Sequence, residues 1–195
     1  MPDLPFIDTH VHLWDPRRFR MAWLDGNDLL DDPYTLAEYR AHTASLPVEA
    51  LVFEQAEVEP AYALLEAGWV IEQAHVEPRI QGIVAWAPIE DGQRSRAVLE
   101  ALVALGPLVK GVRRLIQSEP DPAFCLQPGF VEGVRLLPEY DLAFDLCLYH
   151  HQLASVVELV RRCPETRFVL DHIAKPDNNS CSIRGASRSA SGRPA

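Results

Sequence analysis

Six short runs rich in β-branched and aromatic residues recur along this chain, and their rhythm constrains the fold more than any other feature. They are "FIDTHVH" from Phe6, "VEALVFEQ" from Val48, "RIQGIVAWAPI" from Arg79, "LVKGVRRLI" from Leu108, "LAFDLCLYH" from Leu142 and "RFVLDHI" from Arg167. Each reads as a buried strand of near-continuous apolar character, the habit of parallel sheets covered on both faces. Helical stretches separate them. "TLAEYRAH" opens with Thr35 and Glu38 at capping-box spacing, and "PAYALLEAGWVIEQA" and "PGFVEGVRLLPEY" begin with Pro60 and Pro128, which a first helical turn tolerates. "HQLASVVELVRRC" sets Leu153, Val156, Val157 and Val160 on one stripe. Strand then helix, repeated at roughly 25–35 residues, is the βαβ rhythm of an α/β protein. Right-handed crossovers turn it into a parallel sheet, open or closed.

The chain has 195 residues, enough for one domain but short of the roughly 250 of a complete barrel enzyme. Its formal charge of −10 repels nucleic-acid phosphates and anionic membranes, so neither is expected as a partner. Cys125, Cys147, Cys163 and Cys181 lie far apart, as reduced thiols do. A first strand so close to Met1 leaves no room for a signal peptide, and no apolar run is long enough to span a bilayer, so a cytoplasmic location is expected. From Asn178 the texture changes to Ser, Arg, Gly and Ala without acidic residues. Residues 178–195 are expected to be a disordered tail, with a shifted reading frame or a recombinant junction as its origin.

Chemistry concentrates at strand ends. His10 and His12 share a phase on the first strand, with Asp8 in step, so both imidazoles face one side. Two neutral imidazoles there either ligate one divalent metal or jointly hydrogen-bond one substrate oxygen. His172, in "FVLDHIAKP", ends the sixth run and mirrors His12. Of His150 and His151, which follow the fifth run, His150 is the better candidate because His151 suits the start of the next helix. Arg113 and Arg114 end the fourth run, and strand parity lets only one of them reach a pocket as a fork for oxyanions. Trp14, Trp86 and Gln55 stand near strand ends, where they are able to line a pocket. A Gly-rich phosphate loop and G-x-S-x-G are both missing, which leaves serine hydrolase chemistry little support.

"FIDTHVHLWDP", "GVRRLIQSEPDP" and "FVLDHIAKP" together resemble the amidohydrolase superfamily, in the branch containing sugar-lactone hydrolases and 2-pyrone-4,6-dicarboxylate lactonase, over about residues 4 to 177. The resemblance implies a distorted (β/α)8 TIM-type barrel, present here as about six βα units over residues 1–177, with strands seven and eight missing. It implies lactone hydrolysis, with His10, His12 and, on the fifth strand, His150 as metal ligands. His172 and Arg113 become catalytic, and Arg113, Trp14 and Gln55 contact a small-molecule lactone. The implied cofactor is a divalent metal, usually zinc, although one branch member works without metal. The family's strand-eight aspartate has no counterpart, so the chain is expected to be a fragment, poorly stable alone and weakly active or inactive unless another chain completes it. A zinc-dependent decarboxylase of the same superfamily and a catalytically dead product are the alternatives. A homo-oligomer is left open.

Overall fold

The computed structural model describes residues 4–177. Six strands form one sheet in chain order: β1 (Phe6–Val11), β2 (Val48–Glu54), β3 (Ile80–Trp86), β4 (Val109–Arg113), β5 (Ala143–Leu146) and β6 (Phe168–Leu170). Every neighbouring pair is parallel. The crossovers run through α1 (Leu36–Thr43), α2 (Ala63–Val76), α3 (Arg96–Ala104), α4 (Pro128–Leu136) and α5 (Leu153–Arg162). In a flat sheet the outermost strands would stand about 24 Å apart, at about 4.8 Å per step. Instead the ring of His10, on β1, lies 5.2 Å from the ring of His172, just past β6. The sheet is curled, and the fold is the expected α/β type: an incomplete (β/α)8 barrel with six strands.

The local signals account for most of the helices. Thr35 and Glu38 form the capping box, the Thr35 N–H donating to Glu38 Oε2 at 2.8 Å. Gly133 lets α4 press on the segment before α3, because a Cβ there would overlap the Ile89 carbonyl. Helix α3 was not expected from the sequence. Its N-cap, Ser95, makes no cap bond and instead donates its hydroxyl to the Pro88 carbonyl at 2.6 Å, so the usual start signal is missing.

Helix α5 corrects the predicted stripe. Val156 and Leu159 are its buried residues, while Leu153, Val157 and Val160 are exposed. The face is chosen by contact with the Phe124–Leu126 turn, which the helical period alone does not reveal. Leu159→Ala is therefore expected to cost about 2–5 kcal/mol of unfolding free energy. Val157→Ala is expected to stay within about 0.5 kcal/mol, and urea titration of both variants measures the contrast.

Burial on both faces holds for β2 to β5, apart from the exposed Glu49, Gln81 and Lys110 near the strand starts, but not for the outer strands. Phe6 and Ile7 of β1 and Val169 and Leu170 of β6 are exposed, because each strand has a neighbour on one side only. The inner strands and helices enclose one apolar core around Phe53, Ile83, Leu102, Phe130 and Phe144. The three described cysteines, Cys125, Cys147 and Cys163, are free and buried. No helix among the described residues is long and apolar enough to cross a membrane. The tail from Asn178, with Cys181, lies outside the described residues.

Candidate active site at the strand ends

Three imidazoles meet where the C-terminal ends of the strands converge. The Nε2 atoms of His10 and His12 are 3.2 Å apart, and their rings meet edge-on. His12 Nδ1 lies 2.9 Å from the Glu54 carbonyl oxygen, so Nδ1–H donates there and Nε2 keeps its lone pair. Burial is the main reason that all three rings stay neutral. It lowers His12 to about 4, with the Arg113 charge adding to the effect. It also lowers His10, which Asp171 partly offsets, and His172. Asp8, in step with His10, is occupied otherwise: its Oδ2 accepts from the Tyr39 hydroxyl of α1 at 3.1 Å.

His172 reaches this cluster from an unusual backbone. Strand β6 stops at Leu170, and His172, Ile173, Ala174 and Lys175 all take positive φ, from 34° to 58°. Left-handed backbone costs roughly 1–2 kcal/mol for each such residue, and strain of this kind gathers at functional sites. The expectation that His172 ends a strand is thus corrected: it sits in the turn two residues beyond.

Arg113 stands under the imidazoles. Its side chain is only 5% exposed, with Nε 3.3 Å from Glu54 Oε2 and Nη1 3.2 Å from Asp171 Oδ2. Nη2 donates to the Gln55 carbonyl at 2.5 Å, and Nη1 also approaches His10 Nε2 at 3.4 Å. Asp145 completes a buried carboxylate trio with Glu54 and Asp171. Burial and mutual repulsion push Glu54 and Asp145 above the usual carboxylate range, so the trio holds a proton besides the arginine. Arg114 points the other way, donating to Glu90 and Glu119 at 2.8 and 2.7 Å. The two neighbouring arginines at the end of β4 therefore face different partners.

Above the imidazoles opens a cavity of about 370 Å³, lined among others by His12, Trp14, Trp23, Gln55, Arg113 and His172. Trp14 stacks on Tyr34 at 4.4 Å and meets Trp23 edge-on at 5.8 Å, giving one aromatic wall. The Gln55 amide is tied to Glu57, whose carboxylate accepts from Nε2 at 2.9 Å. Cys147 Sγ lies 4.0 Å from His172 Nε2. His150 is not brought in. The chain turns at Tyr149 into a short 3-10 helix, His150–Gln152, leaving His150 exposed with Nδ1 3.3 Å from the Lys175 carbonyl. Trp86 does not line the cavity either. Sequence reasoning missed Glu54, Asp145, Asp171 and Trp23. Asp171 precedes His172 and Glu54 precedes Gln55, so a buried acid at each strand end was the available signal.

The donors fit a divalent metal. Two ligands about 2.05 Å from one tetrahedral ion lie about 3.3 Å apart, close to the His10–His12 separation. His10, Asp171 and His172 also offer ligand atoms all within 4.8 Å of one another. The hard carboxylate and borderline imidazoles suit zinc, and the neutral rings need no deprotonation.

Known proteins share this fold. A family profile described as amidohydrolase matches residues 7–194. An L-fucono-1,5-lactonase of Burkholderia multivorans is 29% identical over 178 residues, which cover 87% of this chain and 56% of the relative. The L-fucono-1,5-lactonase of Burkholderia ambifaria is 25% identical, covering 87% and 57%. The chain thus spans little more than half the length of these curated relatives. A crystal structure of a Burkholderia multivorans amidohydrolase with bound zinc superposes with a TM-score of 0.72 at 26% identity, covering 88% of this chain and 59% of that one. Amidohydrolase 2 from Bifidobacterium longum subsp. infantis shares the fold, with a TM-score of 0.70 at 24% identity, covering 91% and 66%. With the profile running through all six strands and the three-imidazole cluster, this chain belongs to the amidohydrolase family.

Proposed function

We propose that the cavity is a lactone-hydrolysing site and that its substrate is a sugar lactone. One observation carries the reading: neutral imidazoles from the first and sixth β-segments meet beside an aromatic-walled cavity. The apolar face of a sugar ring packs on Trp14 and Trp23, as ring ligands do in aromatic-lined pockets. His10 and His12, whose Nε2 atoms lie 3.2 Å apart, are the residues that would hold a divalent metal, zinc first. When bound, such an ion polarises the ester carbonyl and lowers the pKa of water. His172, exposed and neutral, takes a proton as a water oxygen adds to the carbonyl carbon, and returns it to the ring oxygen as the C–O bond breaks. The product is the open hydroxy acid. Arg113 acts from below, holding His10 and the Gln55 carbonyl in place, with its N–H groups turned to protein atoms.

The test is ring opening of L-fucono-1,5-lactone and related sugar lactones, followed as acid release, with β-keto and aromatic acids assayed for CO2 alongside. Slow lactone opening is expected, falling at least ~10³-fold in His12→Ala, the scale of a lost oxyanion or metal contact. Equal turnover in that variant overturns the reading. CO2 release without lactone opening would establish the decarboxylase alternative, and lactone binding without turnover the inactive one.

A further inference from the structure

Glu66 is a buried carboxylate that the chemistry above does not use. It lies on α2, 1% exposed, behind the loop that follows β2. Its Oε1 accepts from the Ala56 N–H at 2.9 Å. On the other side of the same residue, the Ala56 carbonyl accepts from the Trp23 indole N–H at 2.8 Å. Three residues on, the Glu59 N–H donates to the Arg20 carbonyl at 2.9 Å, a second tie between this loop and the Trp23 segment. Trp23 itself is 40% exposed. Its place in the cavity wall depends on that hydrogen bond and on the edge contact with Trp14.

We propose that Glu66 is a positioning residue for the aromatic wall, anchoring Ala56, whose carbonyl holds the Trp23 indole, and so setting where a ring-shaped ligand lies in the cavity. The relay is short and directional. A carboxyl oxygen anchors the Ala56 N–H on the peptide plane shared with Gln55, and the Ala56 carbonyl, one residue's φ and ψ further on, is the acceptor that the indole reaches. Removing the carboxyl leaves a buried N–H without a partner, which the loop relieves by moving, and Trp23 moves with it. Two charged groups face Glu66 from neighbouring elements. Arg113 favours its ionised form and Glu57 opposes it, while burial outweighs both and pushes the carboxyl up to about 8. The protonated acid still offers the oxygen that Ala56 needs, which the amide of glutamine also supplies.

The brace is a feature of the fold, and only its bearing on catalysis rests on the lactone reading. The experiment therefore reads the indole first. Trp23-specific fluorescence is taken as the difference between each protein and its Trp23→Phe partner, for wild type, Glu66→Gln, Glu66→Asp and Glu66→Ala. Glu66→Gln should match wild type. Glu66→Asp, one methylene too short, and Glu66→Ala should shift Trp23 emission to the red and roughly double its acrylamide quenching, as local opening does. Wild-type emission and quenching in the Asp and Ala variants overturn the proposal, as does a Gln variant that responds like Ala. The unsubstituted protein gives a check that needs no variant. The Ala56 amide should exchange as slowly as the β2 amides, and exchange at the rate of an open loop overturns the brace. With a sugar lactone, Glu66→Asp should raise KM about fivefold at nearly constant kcat. An unchanged KM beside an altered indole signal counts against the lactone reading of the wall and leaves the brace standing.

Discussion

Arg113→Leu is expected to destabilise the fold by about 3–5 kcal/mol at pH 7.5, because it leaves a buried carboxylate trio without its cation. Glu54 and Asp171 are 3.3 and 3.2 Å from the guanidinium, and both carboxyl groups are almost wholly buried. Without Arg113 the trio reaches the folded state only by taking up further protons. The variant's stability should therefore fall as pH rises from 5 to 8, and its deficit against wild type should widen over that range. Urea denaturation at several pH values measures this directly. The double variant Glu54→Gln with Arg113→Leu should recover part of the loss, since glutamine has no proton to take up on entering the buried site. An Arg113→Leu protein as stable as wild type at pH 7.5 would show that the trio does not depend on this cation. It would also remove the reason for assigning Arg113 a supporting place beneath the imidazoles.

Which parts of this architecture could be read from the residues follows from how local each determinant is. The strands were legible because runs such as Val48–Glu54 and Ile80–Trp86 carry their own apolar signature, and a parallel sheet covered on both faces demands it. His10 and His12 were legible because two imidazoles one residue apart share a strand face. That His172 stands close to His10 was legible, but its backbone was not: a left-handed turn through Ile173 runs against the preference of a β-branched residue. His150 stays outside the cluster for a related reason. The strand-phase argument was carried past Leu146, where β5 ends, into a segment that turns before the imidazole can face the mouth. The trio of Glu54, Asp145 and Asp171 comes from three strand ends far apart in the chain, and only the curl of the sheet brings them together. The buried side of α5 was likewise set by a distant segment, the Phe124–Leu126 turn against which it lies, leaving Val156 and Leu159 buried out of a wider apolar set.

Glu66→Gln is expected to stabilise the protein at neutral pH, although it touches a buried group that makes a good hydrogen bond. The sign follows from the proton. Burial, the largest cause, raises the Glu66 carboxyl from 4.5 to about 8 in the folded chain. Between those values the folded state holds a proton that the unfolded chain has released, so stability falls as pH rises through this window and levels off above it. Glutamine keeps an oxygen for the Ala56 N–H and has no proton to take up. At pH 4 the two proteins should be alike. At pH 7 the variant should lead by roughly 3 kcal/mol, from about 1.4 kcal/mol per pH unit above the unfolded pKa. Other titrating groups contribute equally to both proteins and cancel in the difference, so urea midpoints from pH 4 to 9 isolate the Glu66 term. A difference that stays flat with pH would mean that Glu66 folds in its ionised form, with Arg113 supplying more of the compensation than its burial suggests.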